Sequence, residues 1–381
     1  MTEDSTAQRH ILALDTSLPL PAKIGQIDGL QILRAVAVVL VAWLHGGQTL
    51  GYWRVIELPH FGAFGIDIFF VISGFIMSLV ILRTRQAPGT AWSFLKRRLI
   101  RIFPIYWVFA LLESARLLHG HAFFLQNYFP SFLLLPGLFP RYPLVLGFSW
   151  TMIFEMFFYY VLAGILLLVT VKRAVPVSVA FFALAVLLGR VTGVGNPAWI
   201  TFTSPILLEF AFGSIAALAF LRAGQRLIIG VAMLTVGVAI SLYLRAYPQQ
   251  GGAAGVDMVL SSAGAMRHVL TWGVSAALIV SGVVFWSPTT NSLPARIAVI
   301  LGNASYSAYL ASPLLIEFTG RLLMKLGGRP TLGKEVLFQF LLVVAVFLGG
   351  WLSYQLVERP MIRWLKAKYR RPTTASAVCV G

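Results

Sequence analysis

Residues 29–47 read GLQILRAVAVVLVAWLHGG, an almost unbroken apolar run interrupted by Arg34 and His45. A helix rises about 1.5 Å per residue, so a run of roughly 20 residues is long enough to cross a hydrocarbon core. Similar runs follow along the chain. With the first they cover roughly 30–50, 61–82, 99–118, 149–171, 174–191, 204–222, 226–244, 268–286, 297–318 and 336–357. The sequence therefore predicts an all-α polytopic membrane protein with about ten transmembrane helices.

Composition agrees. Of the 381 residues, 58% are hydrophobic and 11% charged, against about 25% charged in an average soluble domain. The formal charge is +17, but a mean hydropathy of +0.83 is too apolar for a nucleic-acid-binding surface, and no nucleic-acid partner is expected. Cys379 is the single cysteine, which leaves no internal disulfide and excludes a Cys-rich metal cluster. Residues 1–29 lack the apolar core of a signal peptide and read as a cytoplasmic tail; 30–358 form the membrane domain and 359–381 a basic cytoplasmic tail. The apolar stretch 123–139 is broken by Pro130, Pro136 and Gly137 and reads as interfacial or re-entrant.

Lys and Arg on alternate loops number nineteen on the side of the N-terminus and ten on the other, with Arg34 inside the first span. The positive-inside rule then places both termini in the cytoplasm. The four bases of the 319–335 loop run against that bias.

Ionisable groups inside spans cost several kcal/mol unless paired or solvated, so each is a functional candidate. Arg34 and His45 differ by about 20° in azimuth and about 16 Å along the axis, so they share one helix face. Arg34 falls near the cytoplasmic end and His45 in the outer third of the bilayer. Asp67, Glu155 and Glu209 enter from outside to a similar depth, which predicts one layer and one pocket. Glu209 is expected to be satisfied by neighbouring Ser, Tyr or Trp side chains. On the cytoplasmic side, Arg97, Arg98 and Arg101 form an i, i+3, i+4 fork at the expected start of the third helix, the kind of site that holds phosphate. Pro104 should loosen that helix.

These residues fall in segments that together resemble acyltransferase family 3, the bacterial integral-membrane O-acyltransferases. The resemblance is carried by Arg34-x10-His45, FGIDIFFVISGF at 64–75, KRRLIRIFPIYW at 96–107, GNASYSAYL at 302–310 and VERP at 357–360. WTMIFEMFFYY at 150–160 looks like the exopolysaccharide-production acetyltransferase branch. The resemblance implies transfer of an acyl group, usually acetyl from cytoplasmic acetyl-CoA, to a sugar hydroxyl of an exported glycan or its lipid-linked precursor at the bacterial inner membrane. It implies His45 as the central catalytic residue, Arg34 as its partner, and Arg98 and Arg101 as contacts for the acyl-CoA donor. Asp67 or Glu155 is expected to orient His45, and no metal is expected. Membrane lipid and polysaccharide-export machinery are the expected surroundings. Many members place a histidine after the YL of the ninth span, where this chain reads YLASP with Ser312. About twenty residues follow the tenth span, so the soluble esterase-like domain fused to some relatives is not expected. The alternatives are acylation of a small secreted molecule and, in a different class, lipid or glycan transport, because charges at matched depth also mark translocation pathways.

Overall fold

The computed structural model describes residues 27–50, 59–119, 128–135, 144–193, 195–247, 262–288, 290–327 and 331–369. The described residues are helical, with no strand. The long helices are α1 (Asp28–Leu50), α2 (Pro59–Leu82), α3 (Thr90–His119), α4 (Trp150–Leu168), α5 (Val171–Thr192), α6 (Leu207–Ala223) and α7 (Leu227–Ala246). Helix α8 starts as Ser262–His268, passes through a π turn at Val269–Gly273 and continues as Val274–Trp286. It is followed by α9 (Leu293–Asn303), α10 (Ser305–Gly327) and α11 (Leu332–Ser353); a second π turn, Tyr354–Glu358, leads into α12 (Arg359–Tyr369).

Eight described helical stretches are long and apolar enough to cross a membrane, nine if the bent pair Leu293–Asn303 and Ser305–Leu326 is one span. Helix α3 is not among them. It carries Lys96, Arg97, Arg98, Arg101, Glu113 and Arg116. The expected ninth span, 297–318, is not straight: it breaks at Ala304 with a 73° bend. Helix α3 begins at Thr90, two turns before Arg98, and runs through Pro104 without a break. The Arg fork therefore lies inside a helix and not at a free N-terminus, so its guanidiniums stand without the helix-end donors expected beside them.

Helices α1, α2 and α6 pack closely because small residues let their backbones approach. A Cβ on Gly213 of α6 would come within 2.0 Å of the Val71 carbonyl oxygen of α2, and one on Gly74 within 2.1 Å of the Phe210 carbonyl oxygen. At the α9–α10 corner, a Cβ on Gly302 would meet the Gln31 carbonyl oxygen of α1 at 1.9 Å. Helices α5 and α7 lie outside this centre and expose Leu187, Val191, Ile228 and Val236, the surface that lipid tails cover. In the stretch expected to be interfacial, the short helix Tyr128–Leu133 is tied to α3. Tyr106 Oη donates to the Ser131 carbonyl at 2.6 Å and Trp107 Nε1 to that of Phe132 at 2.9 Å. The rest of that stretch, the N-terminal tail up to residue 26 and the C-terminal tail from residue 370 lie outside the described residues.

Gly213→Ala should cost about 1–3 kcal/mol through overpacking of α6 on α2, read as a lower unfolding midpoint in detergent. Gly164→Ala, where the added Cβ meets nothing within 4 Å, should leave the midpoint unchanged.

Candidate active site

Two cavities lie between α1, α3 and α10. The inner one, about 860 Å³ including its mouth, is lined by Arg34, Arg98, Arg101, Glu155, Tyr159 and Tyr306 among others, a size suited to a substantial ligand. Arg34 is held by Gln31, whose Oε1 accepts from its Nη1 at 3.3 Å. Glu155 Oε1 accepts from Ser73 Oγ at 3.2 Å and from Tyr159 Oη. The Tyr306 hydroxyl donates to the Ile102 carbonyl at 3.1 Å and fastens α10 to α3. Arg101 is exposed at the mouth. Arg98 Nε and Ser305 Oγ are buried without a hydrogen-bond partner among the described residues.

Glu358, at the end of the second π turn, sits close enough to act electrostatically on Arg34 and Arg101. Its Oε2 accepts from Ser307 Oγ at 2.5 Å. Three guanidiniums thus face two carboxylates. The chamber keeps an excess positive charge in a low-dielectric setting, which favours an anionic ligand. Glu358 was not among the expected site residues; its VERP motif marked the position without revealing that a π turn carries it inward.

His45 lies in the second cavity with Gln48, Glu113, Arg116, Phe148, Glu317 and Arg321. Its ring stacks on Phe148, with centroids 3.7 Å apart. Nδ1 is 2.7 Å from Gln48 Oε1; because an amide oxygen only accepts, this contact assigns the proton to Nδ1 and leaves Nε2 with a free lone pair. Arg116 bridges Glu113 and Glu317 across α3 and α10, at 2.5 and 2.9 Å. Arg321 pairs with Glu317 one turn on.

The partition between the cavities is thin. Tyr309, which lines the inner chamber, donates its hydroxyl to the Phe148 carbonyl at 2.7 Å. Thr151 Oγ1 is 2.8 Å from the Tyr309 hydroxyl and 3.2 Å from that same carbonyl. One aromatic ring, Phe148, and one hydroxyl pair therefore stand between His45 and the guanidinium chamber.

The single layer expected for His45, Asp67, Glu155 and Glu209 divides into three places. Glu155 joins Arg34, Arg98 and Arg101; His45 is next door; Asp67 and Glu209 line neither cavity. Asp67 pairs with His268, whose Nε2 is 2.9 Å from Oδ1. Among the described residues Glu209 does not find the Ser, Tyr or Trp partner expected of it; its polar neighbours are Asp67 and His268. The expected common depth does not hold: Glu155 meets Ser73 of α2, which lies about 9 Å along the helix from Asp67 and about 120° around it. The side chain orienting His45 is Gln48, one turn further on, and not a carboxylate. Ser312, at the place of the family's histidine, donates to the Tyr309 carbonyl at 2.7 Å and lines neither cavity.

A bundle of membrane-length helices around a polybasic chamber, with a histidine pocket across a thin wall, is the build of an integral-membrane transferase. The chain belongs to acyltransferase family 3, whose acyltransferase domain matches residues 27–355, and it transfers acyl groups other than amino-acyl groups. It is 32% identical over 343 residues to the exopolysaccharide production protein ExoZ of Rhizobium meliloti (strain 1021), covering 87% of this chain and 98% of that one. Over 103 residues it is 36% identical to nodulation protein 10 of Rhizobium leguminosarum bv. viciae, covering 25% and 27% of the two chains. No solved structure matches.

Because Arg98 contributes to an unbalanced cluster and has an unpartnered Nε, Arg98→Ala should leave the ligand-free protein as stable as the wild type or more stable. Thermal unfolding in detergent tests this; a lower midpoint would mean that the fold itself needs the guanidinium.

Proposed function

We propose that this protein moves an acetyl group from cytoplasmic acetyl-CoA to a hydroxyl of an exported polysaccharide or of its lipid-linked precursor. It works in the bacterial inner membrane, crossing it ten times, with both termini in the cytoplasm. The observation that carries the reading is the chamber of Arg34, Arg98 and Arg101 separated from His45 by the Phe148 ring and the Tyr309–Thr151 hydroxyl pair. The similarity to ExoZ along nearly its whole length supports a polysaccharide acceptor.

The donor's phosphates bind the guanidiniums from the cytoplasmic mouth as charge-assisted hydrogen bonds. Its pantetheine arm extends up the chamber and brings the thioester to the partition. The acceptor enters the outer cavity, where the carboxylates and guanidiniums of α3 and α10 offer hydrogen bonds to sugar hydroxyls. His45 Nε2 removes the proton from the acceptor hydroxyl as its oxygen attacks the thioester carbon. Collapse of the tetrahedral intermediate breaks the C–S bond, and the proton on His45 returns to the leaving thiolate. The new C–O ester bond forms at the expense of the thioester, and no further reactant is needed.

His45→Ala and His45→Gln should each lower acetyl incorporation by membranes about 10²- to 10⁴-fold while the protein still inserts. Transfer near the wild-type rate would remove His45 as the base. Arg98→Ala combined with Arg101→Ala should raise the KM for acetyl-CoA more than it lowers kcat; an unchanged KM would contradict donor binding in the chamber.

A further inference from the structure

Asp67 of α2, Glu209 of α6 and His268 of α8 meet in a sealed space that takes no part in either cavity. All three are 0% exposed. One ligand-type atom of each lies within 4.8 Å of the others. His268 Nε2 approaches Asp67 Oδ1, but both Glu209 oxygens, Asp67 Oδ2 and His268 Nδ1 have no hydrogen-bond partner among the described residues. The Glu209 carboxyl cannot turn away freely, because it packs on the π turn: a Cβ on Gly273 would lie 2.9 Å from Oε1 and 3.1 Å from Cγ. π turns inside helices often mark functional sites, and this one begins immediately after His268.

The charges do not balance. Two carboxylates face one imidazole, which supplies at most one positive charge, and Glu209 lies close enough to Asp67 for the two carboxyls to repel when both are ionised or to share a proton. An unpaired carboxylate in a dry interior costs several kcal/mol. A divalent cation removes the deficit, because its two charges neutralise two carboxylates and leave the histidine neutral, the state in which imidazole ligates.

We propose that Asp67, Glu209 and His268 bind one divalent metal ion of the zinc type, tying α2, α6 and α8 together. One imidazole nitrogen with two carboxylate oxygens is a donor set that suits zinc. Metal–ligand bonds of about 2.0–2.2 Å require these atoms, which lie within 4.8 Å of one another, to draw in around a common centre. Trp272, one turn beyond His268, keeps its Nε1 buried and without a hydrogen-bond partner. As a donor group it is suited to the second oxygen of a ligating carboxylate. The ion holds the helices together and does not touch the acyl group, since its ligands line neither cavity.

The test is elemental analysis of the full chain purified in detergent, both as isolated and after incubation with Zn²⁺ followed by gel filtration. The proposal expects about one tightly held metal ion per wild-type chain and a loss of at least about tenfold in Asp67→Asn and Glu209→Gln. A strong zinc chelator should also lower the unfolding midpoint of the wild type, which keeps the test decisive if the variants fail to fold. The proposal is overturned if the wild type holds no metal under both conditions, or if the variants hold as much as the wild type. A metal-free wild type whose Glu209→Gln variant unfolds at a higher temperature would mean that a proton neutralises the cluster.

Discussion

A guanidinium among membrane-spanning helices must meet carboxylates, water or an anionic ligand, and Arg34, Arg98 and Arg101 gather with Glu155 at one chamber. Much of the architecture follows from satisfying them. Glu155 comes from α4, Glu358 from the π turn after α11, and Ser73 and Tyr159 hold the first of these in place. Ser307 holds the second. These hydrogen bonds tie α2 to α4 and α10 to the π turn, and so fix how the walls of the chamber assemble. The arginines outnumber the acids, and that imbalance makes the chamber a binding site as well as an interior ion network.

The broken helix at Ala304 gives GNASYSAYL its meaning. Gly302 allows the corner to press on α1, and Ser305 and Tyr306 face the guanidiniums. Ser307 anchors Glu358, and Tyr309 closes the wall toward His45. Ser305, Tyr306, Ser307 and Tyr309 all follow the corner and leave the axis of α10 at 100° intervals, which sends them to different neighbours. The 73° bend adds Gly302, ahead of the corner, as the contact with α1.

The class of fold was legible in the sequence because apolar runs of membrane length admit few other structures. Arg34, Arg98, Arg101 and Glu155 were each legible as candidates, because an ionisable residue in such a run must have a reason to be there. Neither depth nor azimuth was fully readable: Glu155, expected level with His45 and Asp67, lies beside Arg34 and Ser73. His45 and Asp67 were therefore expected together although the packing sends them to different places. Phe148 and Gln48 carried no signal, since an aromatic or amide side chain near a span end is ordinary, and Tyr309 was visible only as part of GNASYSAYL. His268 was passed over because its partner Asp67 is 201 residues away in sequence. Glu358 was visible only as a motif, and no pattern of residue types announced the π turn that delivers it.

The central claim is that the guanidinium chamber and the His45 pocket open to opposite faces of the membrane and meet at one thin wall. Replacing Cys379 with serine leaves a cysteine-free chain, into which Gln48→Cys and Arg101→Cys can be introduced singly. The most direct measurement is labelling of each with a membrane-impermeant maleimide in intact cells and in inside-out vesicles. The account predicts that Gln48→Cys reacts in cells and Arg101→Cys in vesicles; reaction of both from the same side would contradict it.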